Sequence, residues 1–294
     1  MTIINNTLLP PSSIFLLSNS PTTLLNGSQK SNILFELRNK IVIPPNVRCY
    51  IQLNNFRFVN SIYNININNN KFYYAVHHSG IYENITVTLP FGNYSITSIL
   101  QYLNSACAVH HMDFTYVDTT FKVLITVGGG HTIHLNNGAN NCFKALGFIN
   151  YDTTTYVSSL LSDSIINLSG TQVLYISLEN VNISSNGCKS NTVINVIESI
   201  TMDVLIGSSQ SFSNVNNHKF LVNENYINSI QVKIYDENSN LVDFNNCDWF
   251  LSLGVLFSYE NQYLAPQTLD LNNNKIPDNL EDLDPGIQEN AIQA

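Results

Sequence analysis

The chain reads as all-β, and three features of its sequence say so. It is built of short β-branched and aromatic runs, Asn/Gly/Pro clusters separate them, and helical periodicity is nearly absent. The early runs fall at 14–18, 32–37, 48–53, 56–63, 71–76 and 84–89. They resume at 114–117, 121–127, 131–135, 172–178, 192–196, 201–206, 227–235 and 248–259. Strands at this spacing predict a sandwich or a barrel.

The clearest strands come last. Ile230, Val232 and Ile234 alternate with Gln231, Lys233 and Tyr235, the period of two that sends successive side chains to opposite faces of a sheet. Asp236 to Asn240 then form a polar turn, from residues that bond their own backbone or tolerate left-handed dihedrals. After a second short strand comes a long one, with Trp249, Leu251, Leu253, Val255, Phe257 and Tyr259 on one face. That face predicts a buried strand closing the ordered body.

One helix interrupts the pattern. Ser95 is placed to cap a run in which Ile96, Ile99, Leu100 and Leu103 share a face. The Pro90-Phe91-Gly92 turn breaks the strand before it. A second short helix is expected at 141–146, after a hairpin turning at Gly128-Gly129-Gly130. Residues 84–150 therefore read as a β-α-β-β-α insertion in a longer β framework spanning 1–263. From 264 onward the chain is Pro- and Asn-rich, acidic and extended in expectation.

Composition narrows the function. Of 294 residues 44% are hydrophobic and only 11% charged, against about 25% charged in ordinary soluble domains. Asn, Ser and Thr fill the polar positions, giving a neutral surface suited to large protein contacts. The formal net charge is -9, and the first charged residue is Lys30. With no basic arm to neutralise phosphates, direct nucleic-acid binding is not expected. The cysteines Cys49, Cys107, Cys142, Cys188 and Cys247 are scattered and odd in number, which suggests reduced thiols acting as small core hydrophobes. The apolar run 14–17 is too short for a signal or a membrane span, so synthesis in a reducing cytoplasm is the expectation.

Catalytic and metal chemistry leave few candidates. His77-His78, His110-His111, and His131 with His134 lack the spacing of a zinc site, because strand neighbours point to opposite faces. Cys142, opening a short helix, is the best nucleophile candidate, but no nucleophile turn surrounds it and a core thiol is the reading kept. The triglycine before His131 precedes a strand, not the helix that a phosphate loop needs. No enzyme activity is expected. One metal pattern stands out, in which Asp270, Asn272, Asn274, Asp278 and Glu281 take positions 1, 3, 5, 9 and 12 of a calcium loop, with the Ile276 carbonyl at 7. It resembles the calcium repeats of thrombospondin-type proteins. Asn at two ligand positions and Lys275 at the turn glycine imply weak binding; the alternative is a solvated acidic tail.

Five segments, taken in order, carry a family likeness. They are Leu89-Pro90-Phe91-Gly92-Asn93-Tyr94-Ser95-Ile96 running into the helix to Leu103-Asn104, then Ala145-Leu146-Gly147-Phe148, then Gln172 to Ser177. Ile197-Glu198-Ser199-Ile200 leading to Gly207, and Ile230 to Phe257, complete them. This order resembles the penton, or minor capsid, protein of virophages and related polinton-type double-stranded DNA viruses. The resemblance implies a single jelly-roll sandwich, five copies of which plug the fivefold vertices of an icosahedral virion. It implies the double-jelly-roll major capsid protein as a partner. A binding module is the alternative: a jelly-roll carbohydrate- or receptor-attachment protein using Tyr73, Tyr74, His77 and His78.

Overall fold

A computed structural model describes residues 12–21, 23–25, 30–151, 154–184 and 195–259. The first part of the chain supplies β1 (Ser12–Leu17), β2 (Thr23–Leu24), β3 (Asn32–Val42) and β4 (Val47–Val59). Next come β5 (Lys71–His78), β6 (Ile81–Thr88), α1 (Ile96–Cys107), β7 (Met112–Val117), β8 (Lys122–Val127) and β9 (Thr132–Leu135). They are followed by α2 (Phe143–Leu146), β10 (Ser159–Leu161), β11 (Val173–Leu178) and β12 (Val196–Thr201). The last four are β13 (Ser209–Ser213), β14 (Phe220–Val222), β15 (Tyr226–Tyr235) and β16 (Trp249–Tyr259).

Two five-stranded sheets close over one core. The first runs β1-β16-β4-β13, with β14 also on β4; the second runs β12-β11-β15-β3-β2. Between them lie Ile33 and Phe35 of β3, Ile230, Val232 and Ile234 of β15, and Trp249, Leu251, Leu253 and Val255 of β16. These are the alternate positions that the period of two assigns to the inner face. Along β4 the buried set changes from odd to even numbers, Cys49, Ile51 and Leu53 giving way to Phe56 and Phe58. One extra residue at Asn54-Asn55 resets the face, and β4 pairs β14 before this point and β13 after it.

Trp249 is the keystone of this core. Its ring meets Phe35 edge-on at 6.1 Å and Phe56 at 5.9 Å, and its indole N–H donates to the Lys30 carbonyl at 2.7 Å. Its backbone N–H donates to Ser18 Oγ at 2.8 Å, and that hydroxyl donates to Asp248 Oδ1. The Lys30 ammonium, 2.5 Å from the same oxygen, holds the Asp248 carboxyl below its usual range.

A second core sits apart from the first. It draws on Ile65, Phe72, Tyr74, Leu89, Leu103, Phe114, Ile125, Phe143, Leu146 and Ile166 among others. Two three-stranded sheets, β10-β8-β7 and β6-β5-β9, enclose it with α1 and α2. The excursion thus reaches beyond the expected 84–150. A boundary at residue 84 would cut the β5–β6 hairpin inside β6, and the alternation of β5 looks no different from that of the sandwich strands. Asn64 ties the entry to the exit: its amide donates to the Tyr94 and Leu168 carbonyls at 2.9 and 2.8 Å.

The α1 cap is as the sequence predicts. Ser98 N donates to Ser95 Oγ at 3.2 Å while Ser95 N donates to Ser98 Oγ at 2.9 Å, a reciprocal capping box. Ser95→Ala is expected to cost about 1 kcal/mol, read as a lower thermal midpoint with α1 amides exchanging faster. The Ala145-Leu146-Gly147-Phe148 closure of α2 depends on Gly147 at φ +88, where an added Cβ would lie 2.3 Å from the Ser164 carbonyl oxygen.

Three expectations need correction. The triglycine does turn, His131 N donating to the Gly128 carbonyl, but β8 and β9 do not pair. β8 lies between β7 and β10 whereas β9 lies on β5, so the turn passes from one sheet to the other. The run expected at 201–206 is largely a loop, with Leu205 exposed (83%). The strand there is β12, between the two expected runs, and residues 192–194 lie outside the described residues. The short strand after the Asp236 turn reduces to a single bridge between Tyr235 and Leu241.

Candidate functional site

The attachment residues Tyr73, Tyr74, His77 and His78 all lie on β5, but they do not form one site. Tyr74 faces the second core, fully buried, with its phenol 2.8 Å from His110 Nδ1. Tyr73 is on the other face and donates to the Ala139 carbonyl at 2.9 Å, while His77 stacks on Tyr82 at 4.3 Å. Burial pushes the Tyr74 phenol well above its ordinary range, with Cys107 and Glu83 adding to it.

What the sequence missed is the company kept by His78. Its ring lies face to face with that of His131, centroids 4.0 Å apart and planes within 15°. His111 approaches His131 at 5.2 Å, and His134 packs on Tyr156 at 4.4 Å. The pairing of β5 with β9 sets His77 opposite Thr132. That register brings the end of β5 beside His131, and it is the signal that could have found the pair. Among the described residues no group of three or more His, Cys, Asp or Glu side chains is placed to hold a metal ion.

Three of the thiols behave as core atoms; Cys247 is only half-buried and Cys188 lies outside the described residues. Cys107 and Cys142 are buried in the second core and Cys49 in the first. Burial raises Cys142 to about 12 and Cys107 and Cys49 to about 11, the opposite of what a nucleophile requires. Cys142 precedes α2, a helix of only four residues, and its side chain makes no cap.

Polar groups collect in a cleft of about 340 Å³ where the excursion joins the sandwich, lined by Asn66, Asn69, Asn141, Lys144, Asn167 and Glu237 among others. Most of its amides are already engaged locally. Asn69 donates to the Asn64 carbonyl, Asn141 to the Gly138 carbonyl, and Asn167 accepts from Ser169 N. This explains the Asn-rich composition at these turns, where the side chain substitutes for a missing backbone partner.

The outer face of the first sheet differs in kind. Phe15 is 66% exposed, Leu17 is also exposed, and the Phe15 ring stacks on Phe250 at 6.2 Å. Phe15 and Leu17 belong to β1, which among the described residues lies at the end of its sheet. An apolar edge of this sort offers side-chain area for a protein contact. Exposed Leu205, Ile206 and Val215 add apolar area on the loops beside β13.

The calcium candidates Asp270, Asn272, Asn274, Ile276, Asp278 and Glu281 lie outside the described residues. Among the described residues no helix is long and apolar enough to cross a membrane.

No protein-family model and no curated protein matches the sequence. Among solved structures, the mavirus penton protein overlaps 85% of this chain and 100% of its own at 11% identity and a TM-score of 0.45. The D2–D3 domains of the Escherichia coli flagellar cap protein FliD overlap 78% of this chain at 13% identity and a TM-score of 0.19. These overlaps are too loose to carry a functional reading.

Proposed function

We propose that this chain is a structural capsid protein whose sandwich is a single jelly roll, five copies forming the plug at a fivefold vertex of an icosahedral virion. The observation that carries the reading is the order of its strands. Setting aside the excursion and the short β2 and β14, the sandwich strands run β1, β3, β4, β11, β12, β13, β15, β16. The first sheet takes the first, eighth, third and sixth of these; the second takes the second, seventh, fourth and fifth. This order supports a jelly-roll wrapping, in which most strands pair across the roll, although β11 and β12 are chain neighbours that pair. The excursion enters between the third and fourth strands. The five segments resembling virophage pentons run through both parts of it, from the Ser95-capped helix to β16.

The chemistry agrees with an assembling, non-catalytic role. The described thiols of the two cores are buried and unactivated, charge is scarce, and apolar area is exposed at the β1 edge. Heterologous contacts between identical copies close into a ring when the rotation between them fits, here fivefold. The partners are then further copies and the double-jelly-roll major capsid protein, after synthesis in host cytoplasm. Contact with nucleic acid is not part of the role.

Native mass spectrometry of the purified full chain tests this. A species of five chains, populated as concentration rises, is the expected result. A chain that stays monomeric at high concentration and shows no affinity for a double-jelly-roll major capsid protein would overturn the reading.

A further inference from the structure

Six of the chain's seven histidines belong to the excursion, and His218 alone lies in the sandwich. Sequence separates them into three pairs; the fold gathers them. His78 ends β5, His111 follows the single 3-10 turn Ala108–His110, and His131 precedes β9. The three rings form a file, His78 to His131 at 4.0 Å and His131 to His111 at 5.2 Å.

The triglycine turn is folded against that file. Gly128 N donates to the His111 carbonyl at 2.9 Å. A Cβ on Gly129 would lie 2.8 Å from His111 Cδ2 and 3.2 Å from His131 Nδ1, so the backbone rests on both rings. Gly129 and Gly130 have φ of +63 and +74, which glycine adopts without steric cost. The Nδ1 atoms of His78 and His131 are buried there without a hydrogen-bond partner. Lone pairs lie in the ring planes, so two near-parallel rings do not turn theirs onto a common point, which is poor geometry for chelation.

The surrounding groups offer little counter-charge. β5 contributes His77 and the Tyr74 phenol, β6 contributes Tyr82 and Glu83, α1 contributes Cys107, the 3-10 turn contributes His110, β9 contributes His134, and the approach to β10 contributes Tyr156. Among the described residues of the excursion, Glu83 is the carboxylate in reach of a ring, 3.9 Å from His110 Nε2, and its side chain is mostly exposed.

We propose that the His78–His131–His111 file is an acid-sensitive latch that holds the triglycine turn against the excursion at neutral pH and releases it on acidification. Two protonated rings 4.0 Å apart repel each other, whereas in the unfolded chain they are far apart. Protonating both rings would therefore drive them apart and free the turn that rests on them. His110 leans the same way: burial lowers its proton affinity, Glu83 opposes that, and His131 and His111 add to the lowering. The sandwich, with its one histidine, has no such device.

Hydrogen exchange on the full chain at about pH 7.5 and about pH 5.0, corrected for intrinsic rates, separates the two bodies. Protection across β5 and β9 is expected to fall about tenfold or more on acidification, relative to β3 and β15. In His131→Gln and in His78→Gln that fall should shrink to about threefold or less, while His218→Gln keeps it whole. Equal falls in both bodies, no fall in the natural chain, or a full fall in both latch variants would each overturn the proposal. So would loss of the effect in His218→Gln. Measuring each variant's own change between the two pH values keeps the test valid where a substitution loosens the excursion at neutral pH.

Discussion

Trp249→Ala is expected to lower the unfolding free energy of the sandwich by about 3–5 kcal/mol, among the largest effects of any single substitution here. Two costs combine. The ring is 2% exposed and packs on Phe35 of one sheet and Phe56 of the other, so its removal leaves a cavity between two sheets that cannot collapse independently. Its N–H also satisfies the Lys30 carbonyl, which would lose that partner. Trp249→Phe retains most of the volume but not the donor and should cost clearly less. Urea unfolding followed by far-ultraviolet circular dichroism measures both, since the chain has no other tryptophan. A loss below about 1 kcal/mol for the alanine variant would show that the sheets do not close on this ring.

Trp249 also marks what the sequence makes legible. Alternation identifies the inner face of β15 and β16, and the Ser95 signal identifies α1, because both depend on local spacing. β13 and β14 escaped notice for the converse reason. Ser209-Gln210-Ser211-Phe212-Ser213 has one large apolar side chain, and it is a strand because the far half of β4 needs a partner. Leu205 and Ile206 look like strand residues and are loop residues with exposed side chains. Partner choice is the deeper gap. A period of two tells which way a side chain points but not which strand lies alongside, so neither the transfer of β9 to β5 nor the order of the two sheets could be read locally. The histidine file follows from that same pairing. Its members come from three separate elements, and adjacency in sequence, which sends neighbours to opposite faces, argued against their meeting.

Phe72→Ala is expected to remove about 3–5 kcal/mol from the excursion while leaving the sandwich nearly unchanged. Phe72 is fully buried, with its ring 5.3 Å from Phe114, 5.4 Å from Phe143 and 5.7 Å from Tyr74. None of these rings belongs to the core built around Trp249, and the two cores share no residue. The chain itself connects them, at the entry and exit of the excursion that Asn64 ties together. The single tryptophan supplies the readout. Its fluorescence midpoint in urea should hold in Phe72→Ala while exchange across α1, β5 and β9 accelerates. Parallel loss of both signals would mean that the cores unfold as one unit. Under the assembly reading the variants divide in the same way. If the sandwich alone makes the ring contacts, the five-chain species survives Phe72→Ala and is lost in Trp249→Ala. If the excursion contributes to the ring, both variants lose it, and the contact surface must then be sought on β5 to β10 as well as on the β1 edge.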